Sequence, residues 1–102
     1  METQRQPVIA CALDGESMKG RVEQWAALGR EALRQGRLHP SGVVLRYRRQ
    51  DGVETELKRL VTLERDCCVF LKFTLVEEGE ELVLTVTGPD AAVPIIRECW
   101  GF

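Results

Sequence analysis

The sequence predicts an α+β two-layer sandwich, in which a four-stranded, mostly antiparallel sheet carries its helices on one face. Two observations lead to this prediction. Short segments with alternating apolar and polar residues are typical of half-buried strands, and longer segments with apolar residues three and four positions apart are typical of amphipathic helices. They follow one another as strand, helix, strand, helix, strand, strand, helix, which is a variation on the ferredoxin-like arrangement.

The first half of the chain is predicted to hold two strands and a helix. Residues 1–6 are polar and are expected to form a disordered tail, and residues 8–13 are apolar enough for a buried strand. An amphipathic helix follows over 17–36 and ends at a glycine. The segment 37–42 has the composition of a loop, and 43–48 alternates as a strand. The polar residues of this helix that are expected to face water are Arg21, Glu23, Arg30, Glu31 and Arg34.

Residues 53–68 admit two interpretations. A turn at 50–52 would make the residues from Val53 onward a further strand of a hairpin. We favour a helix over 53–68, because Asp51 and Glu54 fit a capping box and the later apolar residues are three and four positions apart.

The last part of the chain is predicted to form a hairpin and a helix. Residues 70–76 and 82–87 alternate as strands, and the charged segment 77–80 joins them as a short turn. Residues 88–90 then break the second strand. A helix follows, with Pro94 in its first turn, where a missing N–H costs little.

Composition and charge narrow the classes of protein. With 44% hydrophobic and 29% charged residues and no internal repeats, residues 1–102 are predicted to form a single globular domain. The 14 Lys and Arg against 16 Asp and Glu give a formal charge of -2, which disfavours nucleic acid or an anionic membrane as a partner. The basic run at 46–49 is interpreted as a solvated strand edge.

The predicted location is the cytoplasm. No apolar run approaches the roughly 18 residues of a membrane span, and residues 1–6 lack the apolar segment of a secretory signal. The cysteines at 11, 67, 68 and 99 are expected to be reduced there, because their spacing is not that of a small secreted disulfide scaffold.

Glu64 is the residue that most needs an explanation. It interrupts an apolar stripe, and a carboxylate that faces a core is costly unless it is paired, hydrogen-bonded or bound to a metal. Two interpretations stay open. Glu64 takes part in a metal site, or it locks its helix in place through a loop amide or an arginine. The stripe consists of Leu57, Leu60, Val61, Glu64, Cys68 and Leu71.

The vicinal pair Cys67 and Cys68 is the second unusual feature. Neighbouring side chains on a helix point about 100° apart, so both sulfurs can meet one ligand only if the helix ends near Cys67. Soft thiolates select ions such as Cu(I) and Zn(II), and a third sulfur would come from Cys11 or Cys99. The alternative to a metal site is that the cysteines are only core residues. Free cysteines behave as small buried hydrophobes, and this alone could explain the presence of Cys11 and Cys99 on apolar stripes.

Enzymatic activity is the less favoured class. His39 is the only histidine, and no Ser or Cys beside it suggests a nucleophile and its base. The sequence also has no glycine-rich phosphate loop. A thiol redox switch is a further hypothesis, because Arg65 would favour a thiolate nearby, although Glu64 and Asp66 oppose it through like charge.

A pattern of residues that spans most of the chain, with Glu64, Cys67, Cys68 and Phe70 as its distinctive core, resembles that of a group of small bacterial proteins. Similar segments accompany heavy-metal-responsive regulators of the MerR type. Such relatives often have a proline after the cysteine pair, where this chain has Val69. The DNA-binding part of a MerR regulator is absent. The resemblance implies a metal or metalloid context without an established activity. The residues that carry it are Leu60, Leu63, Glu64, Cys67, Cys68, Phe70 and Phe73, followed by Leu82, Leu84, Val86, Gly88 and Pro89, with Cys11 and Trp25 further upstream.

The leading hypothesis is a small cytoplasmic protein that binds a thiophilic metal or metalloid ion. Cys67 and Cys68 would be its ligands, Cys11 or Cys99 would supply the third sulfur, and Glu64 would be a ligand or a nearby acceptor. The alternative is a structural or protein-interaction module, which forms a homodimer or binds a protein partner and whose cysteines are only core residues.

Overall fold

The computed structural model describes residues 15–102 of the chain, with side chains from residue 20 onward. The predicted α+β class is confirmed, with three helices and a four-stranded antiparallel sheet in the described residues. The predicted tail at 1–6, the predicted strand at 8–13 and Cys11 lie outside them. The elements are α1 (Gly15–Ala32), β1 (Leu33–His39), β2 (Gly42–Arg48), α2 (Val53–Cys67), β3 (Lys72–Glu78), β4 (Glu81–Thr87), a 3-10 turn (Asp90–Ala92) and α3 (Val93–Cys99).

The sheet has the strand order β1-β2-β4-β3, and every neighbouring pair is antiparallel. β2, α2 and β3 therefore form a split β-α-β unit, with β4 inserted between the two outer members. The inner face of the sheet and the facing sides of the helices make one core. Its strand residues are those that alternation predicts, Val43, Leu45, Tyr47, Phe73, Leu82, Leu84 and Val86, all buried.

The prediction of a helix reaching residue 36 and a loop over 37–42 is wrong. Residues 33–39 form β1, which pairs with β2 through a two-residue turn at 40–41. Leu33 continues the helical spacing of α1, and glycine and proline give the segment a loop-like composition. Pairing with β2 overrides both signals, because strand formation depends on cross-strand packing more than on local preference.

Gly36 belongs to this edge strand rather than to a helix end. A Cβ at this position would lie 2.7 Å from Cζ of Phe102, so the missing side chain leaves room for the C-terminal ring to cover the inner face of β1. The exposed edge of the sheet is thus partly covered by the last residue of the chain.

The helical interpretation of 53–68 is confirmed, but the capping box is wrong. α2 begins after Gly52, which has a φ of 85° and provides no side-chain cap. Glycine adopts this left-handed conformation without steric cost, so backbone geometry rather than an Asp51 cap starts the helix.

The basic run at 46–49 is matched by carboxylates of the β3-β4 hairpin. Nη1 of Arg46 donates to Oε1 of Glu78 at 2.8 Å and to Oε1 of Glu81 at 3.2 Å, and Nη2 of Arg49 lies 3.0 Å from Oε1 of Glu77. The prediction of a strand edge is wrong, because β2 is paired on both sides; Arg46 and Arg49 are instead ion-paired on the surface of the sheet. Among the helices of residues 15–102, none has both the length and the apolar character to cross a membrane.

Candidate functional site

Helix α2 ends where the two adjacent cysteines lie, as predicted. Cys67 is the last helical residue, and the N–H of Cys68 donates to the carbonyl oxygen of Glu64 at 2.7 Å. The carbonyl oxygen of Cys68 accepts the N–H of Leu71 at 3.0 Å, which turns the chain toward β3. The two side chains differ in burial. Cys68 is 2% exposed, whereas Cys67 is half-buried.

Glu64 is buried and makes two hydrogen bonds to α1. Its Oε2 accepts one from Nε1 of Trp25 at 2.9 Å and one from Nη1 of Arg21 at 3.1 Å. The ion pair is largely withdrawn from water, since the side chains of Arg21 and Glu64 are 12% and 7% exposed. Glu64 therefore locks α2 against α1 through an arginine, which is one of the two interpretations that the sequence left open.

The prediction that Arg21 faces water is wrong. The residue lies one turn before Trp25, so both side chains lie on the side of α1 that meets α2. An arginine among apolar residues is easily assigned to the surface when its partner lies 43 positions later in the chain. The indole of Trp25 is the signal that could have found the site, because a buried N–H usually has an acceptor.

Cys68, Cys99 and Glu64 line one small pocket between α1, the end of α2 and α3, which we call the thiol pocket. Its volume is about 30 Å³, enough for one ion or one water but not for an organic molecule. Its walls are mainly apolar. The described residues that line it are Arg21, Val22, Trp25, Glu64, Cys68, Phe70, Leu71, Ile95, Ile96, Cys99 and Trp100.

Cys99 is a free, half-buried thiol at the end of α3. Burial raises the pKa of this thiol, and the carboxylates of Glu64 and Glu98 raise it further. Cys99 therefore holds its proton at neutral pH, and a ligand that binds its sulfur must displace that proton.

Cys68 is disulfide-bonded, contrary to the expectation that all four cysteines are reduced. Its sulfur is a poor ligand for a soft ion in this form, because the thiolate is the species that binds metals. A soft ion could bind the sulfur of Cys68 in the thiol pocket only after this disulfide had been reduced.

A second, larger cavity adjoins the thiol pocket. This aromatic groove has a volume of about 370 Å³ and shares Val22, Trp25, Cys99 and Trp100 with the pocket. The rings of Trp25 and Trp100 meet edge to face, with centroids 5.2 Å apart. Nε1 of Trp100 is buried and has no hydrogen-bond partner. The other described residues of the groove are Ala26, Gly29, Arg30, Leu33, Leu45, Tyr47, Glu98 and Gly101.

The structure brings together three of the five predicted site residues. Cys68, Cys99 and Glu64 line the thiol pocket, whereas Cys67 does not, and Cys11 lies outside the described residues. Adjacency in sequence predicts Cys67 and Cys68 as a pair of ligands. Of the two, only Cys68 is fully buried at the helix end, and the other described cysteine that lines its pocket is Cys99, which sequence spacing does not reveal.

Comparison with known proteins adds no assignment. The chain matches no family model, no curated protein and no solved structure. Within residues 15–102, no three residues among His, Cys, Asp and Glu are arranged to hold a metal ion. Glu64 borders the thiol pocket together with Cys68 and Cys99, and its hydrogen bonds go to Arg21 and Trp25.

Proposed function

We propose that this chain is a small cytoplasmic protein that, in its reduced form, binds a thiophilic metal or metalloid ion through cysteine sulfurs. The observation that carries the proposal is the thiol pocket, in which Cys68 and Cys99 border one cavity of about 30 Å³. Reduction of its disulfide would give Cys68 a thiol in the pocket that Cys99 also lines. The resemblance in the segment around Glu64, Cys67 and Cys68 supports the same metal context.

The chemistry of the pocket suits a soft ion. Two thiolates in an apolar cavity need a positive partner, and soft ions bind thiolate sulfur in preference to the oxygen ligands of water. Each bound thiol releases its proton to solvent. Cys11 is the proposed third sulfur for ions that require one. Glu64 holds α1 and α2 together around the site through its hydrogen bonds to Arg21 and Trp25.

The test is a titration of the phosphine-reduced protein with Hg(II), As(III), Cu(I) and Zn(II), followed by the ultraviolet thiolate-to-metal band. We expect the wild type to give a stoichiometric band with at least one of these ions. Cys99→Ser and Cys68→Ser should each abolish that band. Cys67→Ser is the matched control and is expected to keep the band, because Cys67 lies outside the thiol pocket. A band that depends on Cys67 alone, or no band at all, would refute the proposal.

The second proposed function is a homodimer module, favoured by the open edge of β1. Leu33 and Leu38 on this strand are 37% and 58% exposed, and Phe102, which lies over it, is 44% exposed. An unpaired strand edge with exposed apolar side chains can pair with a second copy. In this function the cysteines and Glu64 contribute only to the packing of the core.

Leu38→Glu tests the dimer by light scattering of a size-exclusion peak. The dimer predicts twice the chain mass for the wild type and the mass of one chain for the variant, because two like charges would meet at the edge. Val69→Glu is the control, since Val69 is 85% exposed but lies in the turn before β3. A monomeric wild type at high concentration would exclude this function.

A further inference from the structure

We infer that two copies of this chain join through β1 with a two-fold axis at Gly36, so that their four-stranded sheets become one continuous antiparallel sheet. The inference rests on the second proposed function, the homodimer, and adds the register and the side chains that meet at the axis. β1 lies at one end of the strand order, so one side of its backbone has no partner among the described strands.

The apolar side chains of β1 form a row along this open edge, on the inner face of the sheet. Leu33 lies opposite Tyr47 and Leu38 lies opposite Val43, and both of these β2 residues are buried in the core. Directly opposite residues of an antiparallel pair point to the same face of a sheet. Leu33 and Leu38 therefore share the inner face, where both stay exposed to solvent.

The ring of Phe102 completes this apolar row. It lies over Gly36, which separates the two leucines in the strand, and it is also exposed. A two-fold axis at Gly36 places Leu33 of one copy near Leu38 of the other and brings the two Phe102 rings together at the centre. The row is thus complementary to its own rotated copy, as a two-fold interface requires.

The charges of β1 select this register. With the axis at Gly36, Arg37 of each copy lies opposite Gln35 of the other. An axis at Arg37 would place two guanidinium groups directly opposite each other, which is destabilising. An axis at Gln35 would leave Leu38 beyond the paired residues. The irregularity of β1 between Leu33 and Gln35 lies outside the three central pairs of the favoured register.

The opposite edge of the sheet, formed by β3, is less suited to a second copy. β3 carries a lysine and two glutamates among its seven residues, and charged side chains discourage pairing between edges. Val76 is its exposed large apolar side chain. On β1, the charge of Arg34 is balanced within its own chain by Glu81, at 3.5 Å.

Disulfide trapping tests the register with two variants that each add one cysteine, Gln35→Cys and Arg37→Cys. Opposite residues of an antiparallel pair have Cα atoms about 4.5–5.5 Å apart, which a disulfide can span, whereas diagonal neighbours about 7–8 Å apart are too distant. The variants are oxidised with copper phenanthroline, separately and as an equal mixture. Intact mass and peptide mapping identify the covalent dimers. The unmodified chain, treated alike, is the control for the thiols of Cys67 and Cys99.

We expect a covalent dimer that links position 35 of one copy to position 37 of the other, formed in the mixture and not by either variant alone. Phe102→Ser should raise the dissociation constant of the dimer about tenfold by light scattering, because it removes the central apolar contact. Val76→Ser on β3 is the matched control and should leave that constant unchanged. Circular dichroism checks that both serine variants fold.

The outcomes separate the register from the dimer itself. A covalent dimer that links position 35 to 35 or 37 to 37 would overturn the register and leave the homodimer function standing. A dimer whose added cysteines do not cross-link, or whose dissociation constant Phe102→Ser leaves unchanged, would do the same. A chain that stays monomeric by light scattering at high concentration would overturn both.

Discussion

Replacing Glu64 with alanine is expected to lower the free energy of unfolding by about 3 kcal/mol, because it leaves a buried charge without its partner. Arg21 would keep its guanidinium beside α2 with no carboxylate, and the N–H of Trp25 would lose its acceptor. Urea unfolding, followed by tryptophan fluorescence and by circular dichroism, measures the change.

Glu56→Ala is the matched control on the same helix. Glu56 pairs with Arg59 at 2.7 Å on the surface, and such exposed pairs contribute about 1 kcal/mol or less. If Glu64→Ala and Glu56→Ala lower the free energy of unfolding by the same amount, the contacts of Glu64 do not stabilise the packing of α1 on α2. Glu64→Gln keeps an acceptor for Trp25, so its loss in the free energy of unfolding should lie between those of Glu64→Ala and Glu56→Ala.

Replacing Gly42 with alanine is expected to have the second large effect on stability. A Cβ at this position would lie 1.8 Å from the carbonyl oxygen of Val86 and 3.1 Å from Cα of Thr87. Both atoms belong to the backbone of β4, which pairs with Gly42 at the start of β2. The two central strands would have to separate there, and we expect a loss of about 3 kcal/mol or more.

Gly20→Ala provides a control of opposite sign. Gly20 lies inside α1 with open space around it, so alanine should stabilise the helix by about 1 kcal/mol. Differential scanning calorimetry measures the midpoint of thermal unfolding of Gly42→Ala and Gly20→Ala against the wild type. A midpoint for Gly42→Ala near that of the wild type would show that β2 and β4 are not held together as closely as the structure has them.

Periodicity predicts most of the fold because most elements bury one face. The stripe from Leu57 to Cys68 and the alternation of Leu82, Leu84 and Val86 mark α2 and β4, since each element meets the core along one side. β1 has no such pattern. It is an exposed edge strand whose hydrogen bonds to β2 decide its structure, so residues 33–39 resemble a helix end and a loop when read alone.

The candidate site is only partly predictable for a related reason. A carboxylate on an apolar stripe identifies Glu64 as unusual, but its partners Arg21 and Trp25 follow from how α1 packs on α2, which local spacing does not determine. Cys68 and Cys99 line one pocket because α3 returns to the end of α2. The adjacency of Cys67 and Cys68 in sequence says little about this, because the helix end separates their environments.

The most direct measurement is X-ray absorption at the arsenic edge of the phosphine-reduced protein loaded with one equivalent of arsenite. The proposed site predicts sulfur neighbours around arsenic, with one fewer in Cys99→Ser and no change in Cys67→Ser. A shell of oxygen neighbours alone, or a sulfur count that falls in Cys67→Ser but not in Cys99→Ser, would contradict the assignment of the thiol pocket as the binding site.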